Sequence, residues 1–117
     1  MPSDMTPLTE TNIQRQILDY LARVGVMAWR NNTGRRGGVQ FGAKGSPDIL
    51  GVLPGGRALG IEVKKPGEKA TPDQLAWGKR MLGMGGAWCV AVSLEAAQYC
   101  VISAIADTQA AMTAEEA

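Results

Sequence analysis

Two short apolar runs, residues 48–53 and 58–65, flank the turn-forming tripeptide Pro54-Gly55-Gly56. Both are rich in Ile, Val and Leu, so they predict two strands joined as a β-hairpin. Thr71-Pro72-Asp73-Gln74 follows. A capping Thr, a Pro in the first turn and a Gln three residues after the cap form a strong helix start. That helix is expected to end near Gly85-Gly86, and the apolar run 88–92 then reads as a buried strand. A strand–helix–strand step places its two strands parallel, with the helix as a right-handed crossover.

The flanks complete the pattern. Ile13, Ile17, Tyr20, Leu21 and Val24 recur at helical spacing, which predicts a helix over residues 9–24 with Gly25 as its stop. Residues 26–30 read as a strand. Residues 31–46 are polar and glycine-rich, a long loop or a short irregular hairpin. Ser93 caps a last helical region expected to reach about Ala106. Residues 1–8 and 107–117 are expected to be loose ends. The whole is an α/β fold, a mixed sheet flanked by helices in the order α-β-β-β-α-β-α.

A chain of 117 residues that is 45% hydrophobic can form one domain with one core. No apolar run approaches the roughly 20 residues of a membrane span. Met1-Pro2-Ser3-Asp4 has neither the basic start nor the apolar stretch of a signal peptide, so a cytoplasmic location is expected, in a bacterium or a bacterial host cell. Cys89 and Cys100 sit in apolar surroundings and are expected to be buried, reduced thiols. There is no histidine. That excludes Ser-His-Asp and Cys-His catalysis and histidine-ligated zinc. Chemistry must come from carboxylates, Lys, Arg, hydroxyls or a hard metal ion held by oxygens.

One such group stands out. Asp48 opens the first strand of the hairpin after Pro47, and Glu62-Val63-Lys64 lies on the second. A strand alternates its faces, so Glu62 and Lys64 share one. The hairpin brings Asp48 back towards them. Phosphodiester hydrolysis needs a hard cation to polarise the phosphoryl oxygen and activate water. Asp48 and Glu62 would supply carboxylates to Mg²⁺ or Mn²⁺, and the Val63 carbonyl is a further candidate ligand. Lys64 could orient the water, deprotonate it or stabilise transition-state charge.

Glu10 falls in the middle of the first helix's apolar stripe, where a carboxylate is costly unless it is paired or binds a metal. It is a candidate metal or water ligand. The other reading places it exposed in the first turn, favouring the helix dipole. Gln74 fits a capping box with Thr71, and its helix starts soon enough after Lys64 for it to face the site.

Net charge is only +1, but all 12 Lys and Arg lie between Arg15 and Arg80, with five acids among them, a local surplus of seven. A basic middle suits a phosphate-bearing partner. Arg30, Asn31, Asn32, Arg35, Arg36, Lys44 and Lys65 are the candidate DNA contacts. With only Trp29 and Phe41 nearby, phosphate and shape contacts are expected rather than base stacking.

These residues resemble the PD-(D/E)XK nuclease superfamily, with Pro47-Asp48 and Glu62-Val63-Lys64 as the two halves of its signature. Within it they are most similar to the VRR-NUC family. The likeness includes Glu10 with Ile13-Gln14, Trp29-Arg30-Asn31 to Gly34, Gly45-Ser46-Pro47-Asp48-Ile49, and Thr71 with Gln74. Order and spacing make the match specific. The resemblance implies a restriction-endonuclease-like core and Mg²⁺- or Mn²⁺-dependent DNA cleavage. It implies Glu10, Asp48, Glu62, Lys64 and Gln74 as active-site residues. Short stand-alone phage or bacterial members imply a homodimer acting on four-way (Holliday) junctions. The second helix is consistent with a partner: Leu75, Gly78 and Leu82 form one apolar face and Trp77, Met81 and Met84 another.

Overall fold

The computed structural model describes residues 9–116. Thr9 caps α1 (Glu10–Arg23), its hydroxyl accepting from the Asn12 N–H at 3.1 Å. Ile13, Ile17 and Leu21 form its buried stripe. Gly25, at φ +80°, turns the chain into β1 (Met27–Arg30). The glycine-rich segment is a hairpin, β2 (Gly34–Arg36) with β3 (Val39–Phe41), which makes its own two-stranded sheet. Then come β4 (Ile49–Val52), β5 (Ala58–Val63), α2 (Pro72–Gly83), β6 (Ala87–Ala91) and α3 (Leu94–Glu116).

The main sheet runs β1-β4-β5-β6. β4 is antiparallel to both β1 and β5, and β5 is parallel to β6. This is the expected mixed sheet, with the expected hairpin and parallel step. Alternation along β5 divides the core. Leu59, Ile61 and Val63 are fully buried and join Ile13, Ile17 and Leu21 of α1 and Ala97 and Val101 of α3. Each such Leu, Ile or Val side chain contributes about 2 kcal/mol relative to exposure. On the other face α2 packs over β5 and β6. A Cβ at Gly60 would lie 2.8 Å from both Met81 Sδ and Pro47 Cγ, so the missing side chain lets α2 and the Pro47 loop settle onto the strand.

Several expectations are corrected. The cysteines are not reduced thiols: Cys89 of β6 and Cys100 of α3 form a disulfide. The turn at Ser93, whose hydroxyl accepts from the Ala96 N–H at 3.1 Å, folds α3 back along β6. That brings the two Cα atoms to 6.6 Å, within bridging range. β6 is buried only at Ala87 and Ala91, because it is an edge strand. α3 does not stop at Ala106 but continues to Glu116. Residues 106–114 carry four Ala and no Gly or Pro, so propensity sustains a solvated helix. The lead-in 1–8 and Ala117 lie outside the described residues.

The faces of α2 also differ from expectation. Gly78 is buried under the Trp88 ring and Met81 lies on Gly60, so these two look inwards together. Leu75 and Leu82 are 51% exposed and Met84 is 78% exposed. Among the described residues, no helix is long and apolar enough to cross a membrane.

Candidate active site

The register of β4 and β5 pairs Ile49 with Ile61, and one further step sets Asp48 opposite Glu62. Asp48 follows Pro47 and precedes the strand. Its Oδ2 accepts from the Val63 N–H at 2.8 Å, which pins the carboxylate to β5. Glu62 is 2% exposed and points from β5 towards Asp48. Lys64 stands two residues on, its Nζ 3.9 Å from Glu62 Oε1 and its side chain 13% exposed.

Glu62 Oε2 is buried and has no hydrogen-bond partner. The carboxyl groups of Asp48 and Glu62 thus face each other with one buried Glu62 oxygen left without a donor. Burial first, then the charge of Asp48 and a shared hydrogen bond with it, push the Glu62 carboxyl up to about 8, with Lys64 opposing. Only a proton or a cation relieves that contact. Asp48 and Glu62 therefore fit a divalent ion. Among the described residues no three acidic or Cys/His side chains converge into a cage. That donor set suits Mg²⁺, which uses one or two carboxylates and keeps several waters.

Glu10 joins the group from the first turn of α1. It is half-buried, and its carboxyl is held above the usual range, first by burial and then by a hydrogen bond and charge from Glu68. Lys64 pulls it down and Asp48 pushes it up, so it lies within electrostatic reach of both. Glu68 is the member that no motif indicated. The Lys65 N–H and then Glu10 hold its carboxyl below the usual range.

Gln74 completes a capping box instead. Its Oε1 accepts from the Thr71 N–H at 2.8 Å, and its own N–H donates to Thr71 Oγ1 at 3.3 Å. Asn31, expected to touch phosphate, holds the loop that carries Asp48. Its N–H donates to the Asp48 carbonyl at 2.7 Å, and its Nδ2 donates to Ser46 Oγ at 2.7 Å and the Pro47 carbonyl at 2.9 Å. Buried Ser46 passes the link on to the Ala43 carbonyl at 2.6 Å. Lys44 pairs with Asp73 at 3.3 Å, both side chains exposed. Gly45, at φ +84°, passes so close to α2 that a Cβ would lie 2.7 Å from the Asp73 carbonyl oxygen. Arg30, Asn32 and Lys65 are exposed. The side chains of Arg35 and Arg36 lie outside what the structure describes.

No family model matches the chain. The chain is 32% identical over 81 residues to a protein of Acyrthosiphon pisum secondary endosymbiont phage 1 named "Putative nuclease p44"; the match covers 69% of this chain and 80% of that protein. A solved structure titled "VRR_NUC domain" superposes with a TM-score of 0.60 at 24% identity, over 79% of this chain and 92% of the other.

Proposed function

We propose that this chain, which belongs with the phage nuclease it matches and has the fold of a VRR_NUC domain, is a VRR-NUC nuclease: a metal-dependent, structure-specific DNA endonuclease that resolves four-way junctions as a homodimer. The observation that carries the reading is the buried Glu62 carboxyl, whose Oε2 has no hydrogen-bond partner, set against Asp48 and beside Lys64.

Asp48 and Glu62, with the Val63 carbonyl, would hold Mg²⁺ or Mn²⁺, and Glu10 would act through a water on the ion. When bound, such an ion polarises the phosphoryl oxygen and makes water a competent nucleophile near neutral pH. The rest falls to the chain. Asp48 is oriented by the Val63 N–H and by the Asn31–Ser46 links behind its loop. Lys64, 3.9 Å from Glu62 Oε1, would hold or deprotonate the attacking water or offset charge developing on the phosphoryl oxygens. Arg30, Asn32 and Lys65, with Arg35 and Arg36 on the β2–β3 hairpin, would contact the backbone of branched DNA. A two-fold dimer through Leu75, Leu82 and Met84 would set two such sites for paired cuts. The enzyme would act in the bacterial cytoplasm.

The test is a cleavage panel of four-way junction, flap, single-stranded and linear duplex DNA with Mg²⁺, Mn²⁺ or EDTA, alongside Asp48→Ala and Lys64→Ala. Junction cleavage that needs metal and is lost in both variants supports the reading. No cleavage of any substrate under conditions where the protein binds DNA overturns it. Equal cutting of duplex and junction removes the junction specificity, and a monomer at micromolar concentration removes the dimer. A less selective or flap-cutting nuclease would share the same site, so this panel also separates those readings.

A further inference from the structure

The β2–β3 hairpin is a ribbon rooted in the loop that carries Asp48. Its strands pair antiparallel, Gly34 opposite Phe41 and Arg36 opposite Val39. The two-residue turn between them is Gly37-Gly38, at φ +59° and +80°. Positive φ at both central residues makes a type I′ turn, whose twist matches that of the flanking strands. The ribbon forms its own two-stranded sheet, and among the described residues neither strand packs extensively on any other element. Val39, beside the turn, is 65% exposed. The root is held tightly. A Cβ at Gly42, φ +71°, would lie 2.7 Å from the Asn32 carbonyl oxygen, so the two legs pass in contact as they leave the body. Asn31 on the outgoing leg donates to Ser46 Oγ and to the carbonyls of Pro47 and Asp48. The Ser46 N–H and hydroxyl both donate to the Ala43 carbonyl on the returning leg. Lys44 and Gly45 rest against Asp73 at the start of α2.

We propose that the β2–β3 ribbon enters the major groove of a duplex arm beside the cut and so fixes which phosphate meets Asp48 and Glu62. The proposal rests on the nuclease reading above and adds to it the part of the DNA that the enzyme grips. A major groove about 12 Å wide admits a two-stranded ribbon, whereas a minor groove about 6 Å wide must first be deformed. Residues 30–47 hold Arg30, Arg35, Arg36 and Lys44 and no Asp or Glu, which suits the phosphates on both walls of a groove. Val39 stands exposed beside the tip, and the thymine methyl, the apolar group it can meet on DNA, lies in the major groove. Glycines at the tip let the backbone come close to base edges. With Phe41 as its only aromatic residue, the segment lacks the stacking platform that single strands favour. A three-residue strand rises about 10 Å, so the ribbon spans roughly three base pairs at about 3.4 Å each. Because the ribbon and the Asp48 loop share one root, a groove contact at the tip sets the position of the scissile phosphate at the site.

The experiment is dimethyl sulfate footprinting of a four-way junction and a linear duplex, with Ca²⁺ in place of Mg²⁺ to hold back cleavage. Fluorescence anisotropy over a salt series measures affinity on the same DNA. Dimethyl sulfate methylates guanine N7 in the major groove and adenine N3 in the minor groove, so it reports which groove is filled. The proteins are wild type, Arg35→Ala/Arg36→Ala, and a trimmed chain in which Gly-Gly replaces residues 35–40 and closes the Gly34–Phe41 pair with a two-residue turn. Wild type is expected to protect guanine N7 over roughly three base pairs of a duplex arm, and both variants to lose that protection. Arg35→Ala/Arg36→Ala should weaken binding about tenfold and reduce the slope of log affinity against log salt by about two. Mn²⁺ binding without DNA, read by electron paramagnetic resonance, checks that the trimmed chain keeps its fold; if it does not, the double point variant decides. The proposal is overturned if wild type protects no guanine N7 or only adenine N3, or if the protection persists in the variants. It is equally overturned if Arg35→Ala/Arg36→Ala binds within about twofold of wild type. A wild type that protects guanines but cuts no DNA with Mg²⁺ or Mn²⁺ removes the nuclease reading and leaves the groove contact standing. One that cuts DNA while trimming leaves the footprint unchanged removes the ribbon proposal alone.

Discussion

Asp48 shows how the backbone and a loop can fix a single carboxylate. Its Oδ2 is bound by a backbone N–H of the neighbouring strand, and its loop is held from behind by Asn31 and Ser46. Sequence pattern singled out both Asp48 and Asn31 but did not show that Asn31 ties the loop, because an Asn in a polar, glycine-rich segment reads equally as a phosphate contact or as a loop tie. Only the return of the chain at residues 46–48 decides between them. Asn31→Ala should therefore reduce cleavage on every DNA substrate alike, by about tenfold, and cost roughly 1–3 kcal/mol of stability from the acceptors it leaves behind. Kinetics on junction and duplex with a parallel urea titration checks this. A loss of DNA affinity with kcat intact would return Asn31 to the phosphate-binding surface.

At the scale of elements, what was legible followed local rules. The Thr71 capping box, the Pro54-Gly55-Gly56 hairpin and the parallel step through α2 are each specified by a few adjacent residues, and each is present. What was not legible depended on how elements meet. Cys89 and Cys100 sit on separate elements, and nothing in either segment states that the Ser93 turn will bring them together. That bridge closes a short loop, which should stabilise the β6–α3 unit by about 2–3 kcal/mol on a chain-entropy reckoning. Cys89→Ser/Cys100→Ser, or dithiothreitol, is expected to lower the unfolding free energy by that order, with both treatments together no worse than either. An unchanged urea midpoint after reduction would show that the bridge contributes nothing in solution. Gly60 makes a second prediction at this scale. Gly60→Ala inserts a methyl between Met81 and Pro47, with an expected cost of about 1–3 kcal/mol. Cleavage should fall further than global stability predicts, because Pro47 carries Asp48; activity that tracks only the folded fraction would refute that coupling.

For the whole molecule, charge matters more in its disposition than in its sum. Part of the basic surplus is structural. Arg57 donates to the carbonyls of Gly85 at 2.8 Å, Gly86 at 3.2 Å and Ala104 at 3.2 Å, clamping the β4–β5 turn to the end of α2 and to α3. Lys44 answers Asp73. A surplus read from sequence cannot separate such clamps from residues free to meet phosphate. The acidic group, by contrast, imprints itself on the stability of the whole chain. Glu62 is ordinarily half-ionised near 4.5 but in the fold is pushed up to about 8. Between those values the folded protein retains a proton that the unfolded chain has released. Unfolding free energy therefore falls as pH rises through that window, is fully retained below it, and stops falling above about 8. Glu10 acts in the same direction. The chain has no histidine, so few other groups titrate between about pH 5 and 8, and the slope belongs to this site. Metal-free protein should lose on the order of a few kcal/mol across the window. Glu62→Gln should flatten the curve, be at least as stable as wild type at the alkaline end, and fail to cleave DNA. Because a bound cation requires the carboxylates ionised, stabilisation by Mg²⁺ should grow over the same range in wild type and be absent in Glu62→Gln. Urea titrations at three pH values in EDTA and in Mg²⁺ measure all of this. Metal-free wild-type stability that holds level or climbs from pH 5 to 8 would mean that Glu62 and Asp48 do not confront each other as the fold places them.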